Sequence, residues 1–234
     1  MKLIETIELS KVYKTVSEDV HALTKINLEI EEGELCAISG PSGSGKTTLL
    51  NLIALLDKPT EGDVKLDGVL YQSLSENQRT ALRRDQIGMI FQSFNLIPVL
   101  SAWENVELAL NVLPKETLEK KLGIKTKEDR KKICFKSLEE VGLKGLENRR
   151  PNELSGGQQQ RISIARAIVK QPKVLLADEP TANLDRKNGE KILEVIGLLN
   201  KEKGLTCIYS SHDKLVLDHV RRIIRLVDGR VTDV

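Results

Sequence analysis

The chain has few aromatic residues, little net charge and no long apolar run. Only 3% of its 234 residues are Phe, Trp or Tyr, whereas proteins that stack the bases of single-stranded nucleic acid present clustered aromatic side chains. The formal net charge of +2 is too small to indicate a polyanionic partner. These two deficits argue against a nucleic-acid-binding protein.

Cysteine is also scarce. Cys36, Cys134 and Cys207 are odd in number and show no CxxC or other metal-ligand spacing. Cys36 and Cys207 lie in apolar, strand-like runs, so we predict buried structural thiols rather than reactive ones. Unpaired thiols are typical of a reducing compartment.

No apolar stretch approaches the roughly 20 residues that a transmembrane helix requires. Near the N-terminus, Glu5 and Glu8 stand where a secretory signal peptide would have an uninterrupted apolar core. We therefore expect a soluble, unsecreted protein that works at a membrane only by docking onto another chain.

Residues 40–47, GPSGSGKT, fit the phosphate-binding loop pattern GxxxxGK[ST]. The apolar run 35–38 before them reads as a buried strand, and an amphipathic helix follows from Lys46, which is the context this pattern requires. Glycines let successive backbone N–H groups converge on phosphate oxygens, and the helix dipole adds to the attraction. Lys46 is placed to contact the β- and γ-phosphates, and the Thr47 hydroxyl to ligate Mg²⁺. The predicted nucleotide contacts in this segment are Gly40, Pro41, Ser42, Gly43, Ser44, Gly45, Lys46, Thr47 and Thr48.

A second motif places two acidic residues, Asp178 and Glu179, directly after the apolar run 174–177. The carboxyl ends of strands are where α/β sheets bind ligands. We predict that Asp178 holds Mg²⁺ and that Glu179 acts as the general base for an attacking water. An acid-capped turn is the alternative for such a pair alone, and the upstream phosphate loop makes it the weaker one.

A third motif, LSGGQ at 154–158, begins a helix. A small hydroxyl and two glycines at a helix start form an anion site. The alternative is a simple helix cap with a flexible lead-in. Spacing alone does not say what one chain does with two helix starts suited to phosphate.

Together with His212, these motifs resemble the ATP-binding subunit of ABC transporters, and the resemblance covers essentially the whole chain. It implies that two subunits stack head to tail, with the LSGGQ segment of one closing over the γ-phosphate held by the other. Ser155 and Gly157 would make that cross-subunit contact. The residues of this segment implied in nucleotide binding are Ser155, Gly156, Gly157 and Gln158.

The resemblance also implies individual roles for four other residues. Tyr13 matches the aromatic side chain that stacks on adenine, its alternative being a half-buried strand residue. Gln92 matches the glutamine that meets Mg²⁺ and the attacking water. Asp185 matches the key acid of the loop that links the two sites. His212 matches the histidine that contacts the γ-phosphate, although a lone histidine is more often structural. With Lys46 and Glu179, Gln92 and His212 complete the predicted catalytic set.

The pattern of elements predicts one α/β domain over residues 1–234. Alternating strands and helices indicate a P-loop NTPase core with a mostly parallel sheet, built from 1–94 and 151–234. Apolar alternation near the N-terminus predicts an antiparallel β subdomain within that core. The charged, largely helical segment 95–150 is predicted as an inserted α-helical subdomain.

Residues 91–98 and 104–106 resemble more narrowly the subgroup that serves lipoprotein release, macrolide or antimicrobial-peptide export, and cell division. The implied function is an ATP- and Mg²⁺-dependent ATPase that forms a homodimer on ATP and powers an integral-membrane permease, a separate chain. Leu96, Ile97 and Pro98 would lie near the permease socket. The implied location is cytoplasmic, on the inner face of the membrane through the permease, with no nucleic-acid partner.

Three alternatives stay open at this point. A mechanical motor that transports nothing shares every residue discussed. Soluble ABC ATPases of DNA repair or translation typically carry coiled-coil insertions, zinc motifs or two fused ATPase halves, which this sequence lacks. A regulatory GTPase would need an NKxD-like guanine-reading motif, which is also missing.

Lys46→Ala tests the phosphate loop. Removing the cation at the β- and γ-phosphates should abolish ATP binding or turnover. ATP binding by the purified variant, followed by phosphate release, checks this, and near-normal turnover would contradict the assignment of the loop.

Overall fold

Two β-sheets organise the fold in the computed structural model, which describes residues 1–16 and 18–233. The first sheet is antiparallel, with the order β2-β1-β4-β5. The second has the order β10-β9-β3-β8-β7-β6, in which β9, β3, β8, β7 and β6 run parallel and β10 pairs antiparallel at one edge. The strands are β1 (Lys2–Lys14), β2 (Asp19–Glu31), β3 (Leu35–Ser39), β4 (Glu61–Leu66), β5 (Val69–Leu70), β6 (Ile87–Ile90), β7 (Val174–Asp178), β8 (Thr206–Ser210), β9 (Arg222–Val227) and β10 (Arg230–Asp233).

The helices begin and end at residues whose local chemistry favours those boundaries. They are α1 (Lys46–Ile53), α2 (Glu76–Gln86), α3 (Ala102–Asn111), α4 (Lys115–Leu122), α5 (Lys127–Glu140), α6 (Gly156–Ile168), α7 (Arg186–Lys203) and α8 (Lys214–Leu217). Capping boxes at Ser75, Ser101, Thr126 and Ser155 satisfy the free N–H groups of the helix starts. Helix α7 ends at Gly204, which takes the left-handed conformation that glycine tolerates best.

The parallel sheet lies between two apolar cores. Successive side chains of a strand point to opposite faces, so β3 sends Cys36 and Ile38 into one core, while Leu35 and Ala37 enter the other. The first core also holds α1 and the inner face of the antiparallel sheet. The second is covered by α3, α5, α6 and α7. Both faces of the sheet are therefore closed, and its strand ends remain as the place for a site.

The predicted fold class is confirmed. The helix predicted to begin at the LSGGQ segment runs from Gly156 to Ile168, with Ser155 as its N-cap. The sequence reading missed α2 and the edge strand β10. The division into core and helical subdomain stays a prediction. Within the described part of the chain, no helix combines the length and apolarity needed to cross a membrane.

The buried side chain of Asn105 shapes the loop that precedes α3. Its Oδ1 accepts a hydrogen bond from the Ile97 N–H at 2.8 Å. Its Nδ2 donates to the carbonyl oxygens of Ile97, Leu100 and Ser101 at 3.2, 3.1 and 2.9 Å. Asn105 is completely buried. Among the described residues, it is the only hydrogen-bond partner of the Ile97 N–H and of the Leu100 carbonyl oxygen, whereas the Ile97 and Ser101 carbonyl oxygens also accept backbone N–H groups. One side chain thus fixes the conformation of residues 97–101.

Asn105→Ala should destabilise the protein by about 2–3 kcal/mol, since it leaves the Ile97 N–H and the Leu100 carbonyl oxygen without their partner and removes a fully buried side chain. Urea unfolding of the variant beside the unsubstituted chain measures this change. Asn111→Ala, an exposed asparagine in the same helix, should change stability by no more than about 0.5 kcal/mol. Equal effects of the two substitutions would contradict the role given to Asn105.

Candidate functional site

The phosphate loop joins β3 to α1 and is packed too tightly for side chains at two of its glycines. A Cβ added at Gly40 would lie 2.0 Å from the carbonyl oxygen of Leu226. A Cβ at Gly45, which has φ of +100°, would lie 2.4 Å from the carbonyl oxygen of Ala22. These contacts explain why the loop needs glycine there, and they hold its backbone at the carboxyl ends of the parallel strands.

The ammonium group of Lys46 lies inside the loop. Its Nζ donates hydrogen bonds to the carbonyl oxygens of Gly40 and Pro41 at 2.8 and 2.9 Å. The residue is 8% exposed, and none of the ion pairs present involves it in the described part of the chain. A largely buried cation in this glycine-rich loop that lacks a carboxylate partner is suited to an anionic ligand.

Two oxygen-bearing side chains meet where β7 ends beside α1. The Thr47 hydroxyl lies 3.3 and 3.2 Å from the two carboxylate oxygens of Asp178. Hydroxyl and carboxylate oxygens are the donors that Mg²⁺ prefers, and Mg²⁺ commonly completes its shell with water and substrate phosphates. The residues therefore fit the ion, although nowhere in 1–16 and 18–233 do three or more His, Cys, Asp or Glu side chains form a metal cluster.

Glu179 is held in an unusual backbone conformation by its neighbours. Its φ is 44°, in the left-handed region that costs a non-glycine residue about 1–3 kcal/mol when the surroundings enforce it. Its N–H donates to the Ser210 carbonyl oxygen at 2.8 Å. Its Oε2 accepts from the Ser211 hydroxyl, and its Oε1 lies opposite His212 Nδ1, both at 2.7 Å. The carboxylate thus has a fixed direction.

A cavity of about 510 Å³ brings these groups together. Its lining includes most of the residues of segment 40–48 predicted to bind nucleotide, together with Tyr13 and the predicted catalytic residues Gln92, Glu179 and His212. The lining is Tyr13, Val20, Ala22, Ser42, Gly43, Gly45, Lys46, Thr47, Thr48, Gln92, Glu179, Ala182, Ser210 and His212. Side chains separated by up to 199 residues therefore surround one space.

Tyr13 lies at the rim of this cavity and is 37% exposed. Its hydroxyl donates to Asp57 at 2.8 Å, and the Lys11 ammonium lies 4.8 Å from the ring centroid. Partial burial, with the nearby Asp57 carboxylate, raises the pKa of the Tyr13 hydroxyl. The ring is thus held by its polar end and presents an aromatic surface to the cavity.

The LSGGQ segment does not line this cavity. Ser155 is exposed and caps α6: its Oγ accepts the Gln158 N–H at 3.4 Å, and Gln158 Oε1 accepts the Ser155 N–H at 2.9 Å. The segment packs near Asn183 and Leu184 of the loop that contains Asp185. A second helix start suited to phosphate therefore lies apart from the first within one chain.

The segments between these two places are hydrogen-bonded to each other. Asn183 Nδ2 donates to the Gln92 carbonyl oxygen, and the buried Gln160 of α6 donates to the Pro180 carbonyl oxygen, both at 2.8 Å. Asp185 does not line the cavity. It caps α7 by accepting the Asn188 N–H at 3.0 Å, and this hydrogen bond lowers the pKa of its carboxyl group.

Sequence reasoning missed the two serines beside His212 as site residues. Ser211 holds Glu179, and Ser210 lines the cavity. The signal was a pair of polar residues at the end of an otherwise apolar strand. Its meaning depended on which strands lie on either side.

The comparisons agree with this geometry. The family described as ABC transporter matches residues 23–182, more than half of the chain. The chain belongs to the ABC transporter family. Its relatives include an ABC transporter ATP-binding protein of Methanocaldococcus jannaschii, MJ0796, which is 46% identical over 98% of this chain and 95% of that protein.

A solved structure of the same MJ0796 and one further relative extend the comparison. A solved dimeric structure of MJ0796 in a post-hydrolysis state, bound to ADP and Pi, has a TM-score of 0.88 with 45% identity and covers 99% of this chain and 97% of that one. The macrolide export ATP-binding/permease protein MacB of Syntrophobacter fumaroxidans is 42% identical over 98% of this chain, but this chain covers only 31% of MacB. The predicted family is confirmed, while the role of each site residue stays a prediction.

Proposed function

We propose that this ABC transporter subunit binds and hydrolyses ATP as a head-to-tail homodimer and thereby drives a membrane permease formed by another chain. One observation carries the proposal. Lys46, Thr47, Gln92, Glu179 and His212 surround a single cavity, while a second helix start suited to phosphate, at Ser155, lies outside it.

The arrangement supports in-line attack of water on the γ-phosphate. Lys46 would leave the carbonyl oxygens that it now contacts and place its charge on the phosphates. Mg²⁺, held by Thr47 and Asp178, would neutralise developing phosphate charge. Glu179 would take the proton of the attacking water, since Ser211 and His212 fix the direction of its carboxylate.

Positioning accounts for the remaining contacts. His212 is largely exposed, and its Nδ1 faces the Glu179 carboxylate. With both ring nitrogens protonated, Nε2 would donate a hydrogen bond to a phosphate oxygen. Gln92 lies at the same cavity, and its backbone is linked to Asn183. Movement of Gln92 on ATP binding would therefore reach the loop beside the LSGGQ segment.

In the proposed dimer, the LSGGQ segment of one subunit would face the nucleotide bound by the other. Its exposed Ser155 and the adjacent N–H groups of α6 would contact the γ-phosphate held by the partner subunit. The dimeric MJ0796 structure supports this assembly. Each ATP would then be enclosed by both subunits.

A groove of about 450 Å³ offers a place for the permease. It lies between α2, β6, α3 and the end of α6, and it combines apolar side chains with cations. Its lining is Ala54, Leu56, Thr80, Arg83, Arg84, Ile87, Met89, Phe91, Ala109, Val112, Arg166, Ala167 and Lys170. The loop whose shape Asn105 fixes, residues 97–101, leads into α3 beside it.

The charges of the groove indicate the partner's chemistry. Arg84 is ion-paired with Asp85, and Arg83 and Arg166 donate to backbone carbonyl oxygens. Lys170 has no ion pair or hydrogen bond within the described residues, and burial lowers its pKa to about 8. A permease segment with apolar side chains and one carboxylate would pair with this cation. Such docking would hold the subunit at the cytoplasmic face of the membrane.

Macrolide export is one example of such work, because the MacB relative carries both ATP-binding and permease functions in its name. We propose export or lipoprotein and peptide extrusion as the type of transport. A mechanical motor that transports nothing is the second candidate, since it would use the same ATPase residues. The identity of the permease recovered with the subunit distinguishes the two.

Glu179→Gln tests the ATPase cycle. The variant should bind MgATP but hydrolyse it at least about 100-fold more slowly, because the proton acceptor for water is lost. The trapped ATP should convert the subunit to a dimer in size-exclusion chromatography with light scattering. A monomer at saturating MgATP would contradict the proposed assembly.

The matched control adds Ser155→Arg to Glu179→Gln. The bulky cation should block the cross-subunit contact and leave a monomer that still binds ATP, because Ser155 lies outside the subunit's own cavity. Loss of nucleotide binding by the monomer would mean that the LSGGQ segment is not a cross-subunit element.

Lys170→Leu should affect the isolated subunit and the complex in opposite directions. Removal of a partly buried, unpaired cation should raise Tm by about 2–4 °C, the equivalent of about 1 kcal/mol for a chain of this size. Co-purification of the permease should fall.

Lys191→Leu, at an exposed position of α7, is the matched control and should change neither property.

The contribution of Lys170 to stability depends on pH with a defined sign. The folded state binds the Lys170 proton more weakly than the unfolded state, so this group makes stability rise with pH from about 8 to about 10.4. Unchanged permease recovery with Lys170→Leu would exclude Lys170 from the docking surface.

A further inference from the structure

Ser210 has a buried hydroxyl for which the fold supplies no partner. The residue is completely buried, and its Oγ makes no hydrogen bond within the described residues. A buried hydroxyl without a partner costs the fold its full desolvation penalty. An unpaired buried hydroxyl in a native structure needs an explanation, and one explanation is a role in binding or positioning a ligand.

The register of the parallel sheet places this hydroxyl beside Asp178. Ser210 pairs with Asp178 across β8 and β7, and with Ile38 across β8 and β3. Paired residues on adjacent strands project to the same face of a sheet. Asp178 reaches Thr47 from that face, and Ser210 lines the cavity with Lys46.

The backbone carbonyl group of Ser210 already has a hydrogen-bond partner. Its carbonyl oxygen accepts the Glu179 N–H at 2.8 Å, so the strand cannot shift to satisfy the hydroxyl without disturbing Glu179. Ser211, the next residue, has its hydroxyl occupied by Glu179 and by the Asp213 N–H. Ser210 Oγ is therefore the one uncommitted hydroxyl of this pair.

Asp178 has capacity for another donor. Within the described residues its side chain is hydrogen-bonded only to Thr47, at 3.2 and 3.3 Å, longer than the usual 2.5–3.0 Å of an O–H···O hydrogen bond. A hydroxyl that donates to a carboxylate makes a charge-assisted hydrogen bond, which is stronger than one between neutral groups. Rotation about χ1 of Ser210 changes the direction of its Oγ without moving the backbone.

We propose that Ser210 is a positioning residue for the magnesium end of the ATP site. Its hydroxyl donates to the Asp178 carboxylate when MgATP is bound, and it thereby fixes the carboxylate that holds the ion. This rests on the proposed ATPase function, and it gives a role to the polar residue that ends the buried strand β8.

The test measures how much Mg²⁺ is needed for nucleotide binding. A fluorescent, non-hydrolysable ATP analogue is titrated onto the full chain in EDTA and at increasing Mg²⁺. Ser210→Ala should raise the half-saturating Mg²⁺ concentration about three- to ten-fold, the value of one hydrogen bond. Binding in EDTA should stay unchanged, and Tm without nucleotide should be equal or higher, because an unpaired buried hydroxyl is removed.

Three other variants complete the design. Ser210→Cys, close in size but a weak donor, should behave as Ser210→Ala and serves if the alanine variant does not fold. Ser210→Thr should keep the wild-type Mg²⁺ dependence. Thr181→Val removes another buried hydroxyl without a partner, one that does not line the cavity, and should leave the Mg²⁺ dependence unchanged.

Two results would overturn the proposal. An unchanged half-saturating Mg²⁺ concentration in both Ser210→Ala and Ser210→Cys would exclude the role. Equal weakening in EDTA and in Mg²⁺ would assign the hydroxyl to the nucleotide rather than to the metal end. Failure of the unsubstituted chain to bind the analogue with Mg²⁺ would instead contradict the proposed ATPase function.

Discussion

The parallel register of β3, β8 and β7 is the constraint on which the site depends. Ile38, Ser210 and Asp178 lie side by side at the ends of these strands. The phosphate loop follows β3, Asp178 closes β7, and the Ser210 carbonyl oxygen holds Glu179. Because side chains alternate with a period of two, a slip of one residue would turn Asp178 away from Thr47. The two apolar cores on either side of the sheet oppose that slip by burying the alternate positions.

Several groups at the carboxyl ends of these strands lie at the candidate site and are unfavourable for the stability of the fold. Glu179 has a left-handed backbone, Lys46 is an enclosed cation without a carboxylate, and the Ser210 hydroxyl is unpaired. Each of these costs free energy in the folded subunit. Under the proposed function, a bound, metal-complexed triphosphate would offer compensating contacts to Lys46 directly and to Asp178 through the metal. Ligand binding would then relieve part of this cost.

The proposed coupling between the nucleotide and a permease has a physical route in this ABC transporter subunit. The loop 93–101 follows Gln92, which lines the cavity, and Asn105 fixes the part 97–101 through four hydrogen bonds. Arg166 of α6 donates to the carbonyl oxygens of Phe94 and Asn95 in the same loop. The loop thus connects the ATP cavity, the helix that begins with the LSGGQ segment and the groove that contains Lys170. A rigid connection of this kind transmits a displacement, whereas a free loop would absorb it.

The sequence by itself determined the fold class, the phosphate loop, the Asp178–Glu179 pair and the start of α6, because each depends on local patterns: glycine spacing, a strand followed by acids, and a capping serine. It did not determine α2 or β10. The first is mostly polar, with no buried residue, and the second is an edge strand that needs β9 beside it. Nor did it reveal that Ser211 holds Glu179, or that the Ser210 hydroxyl and the Lys170 ammonium lack partners among the described residues. Those facts depend on strand register and on helices brought together from distant parts of the chain, so only the tertiary structure decided them.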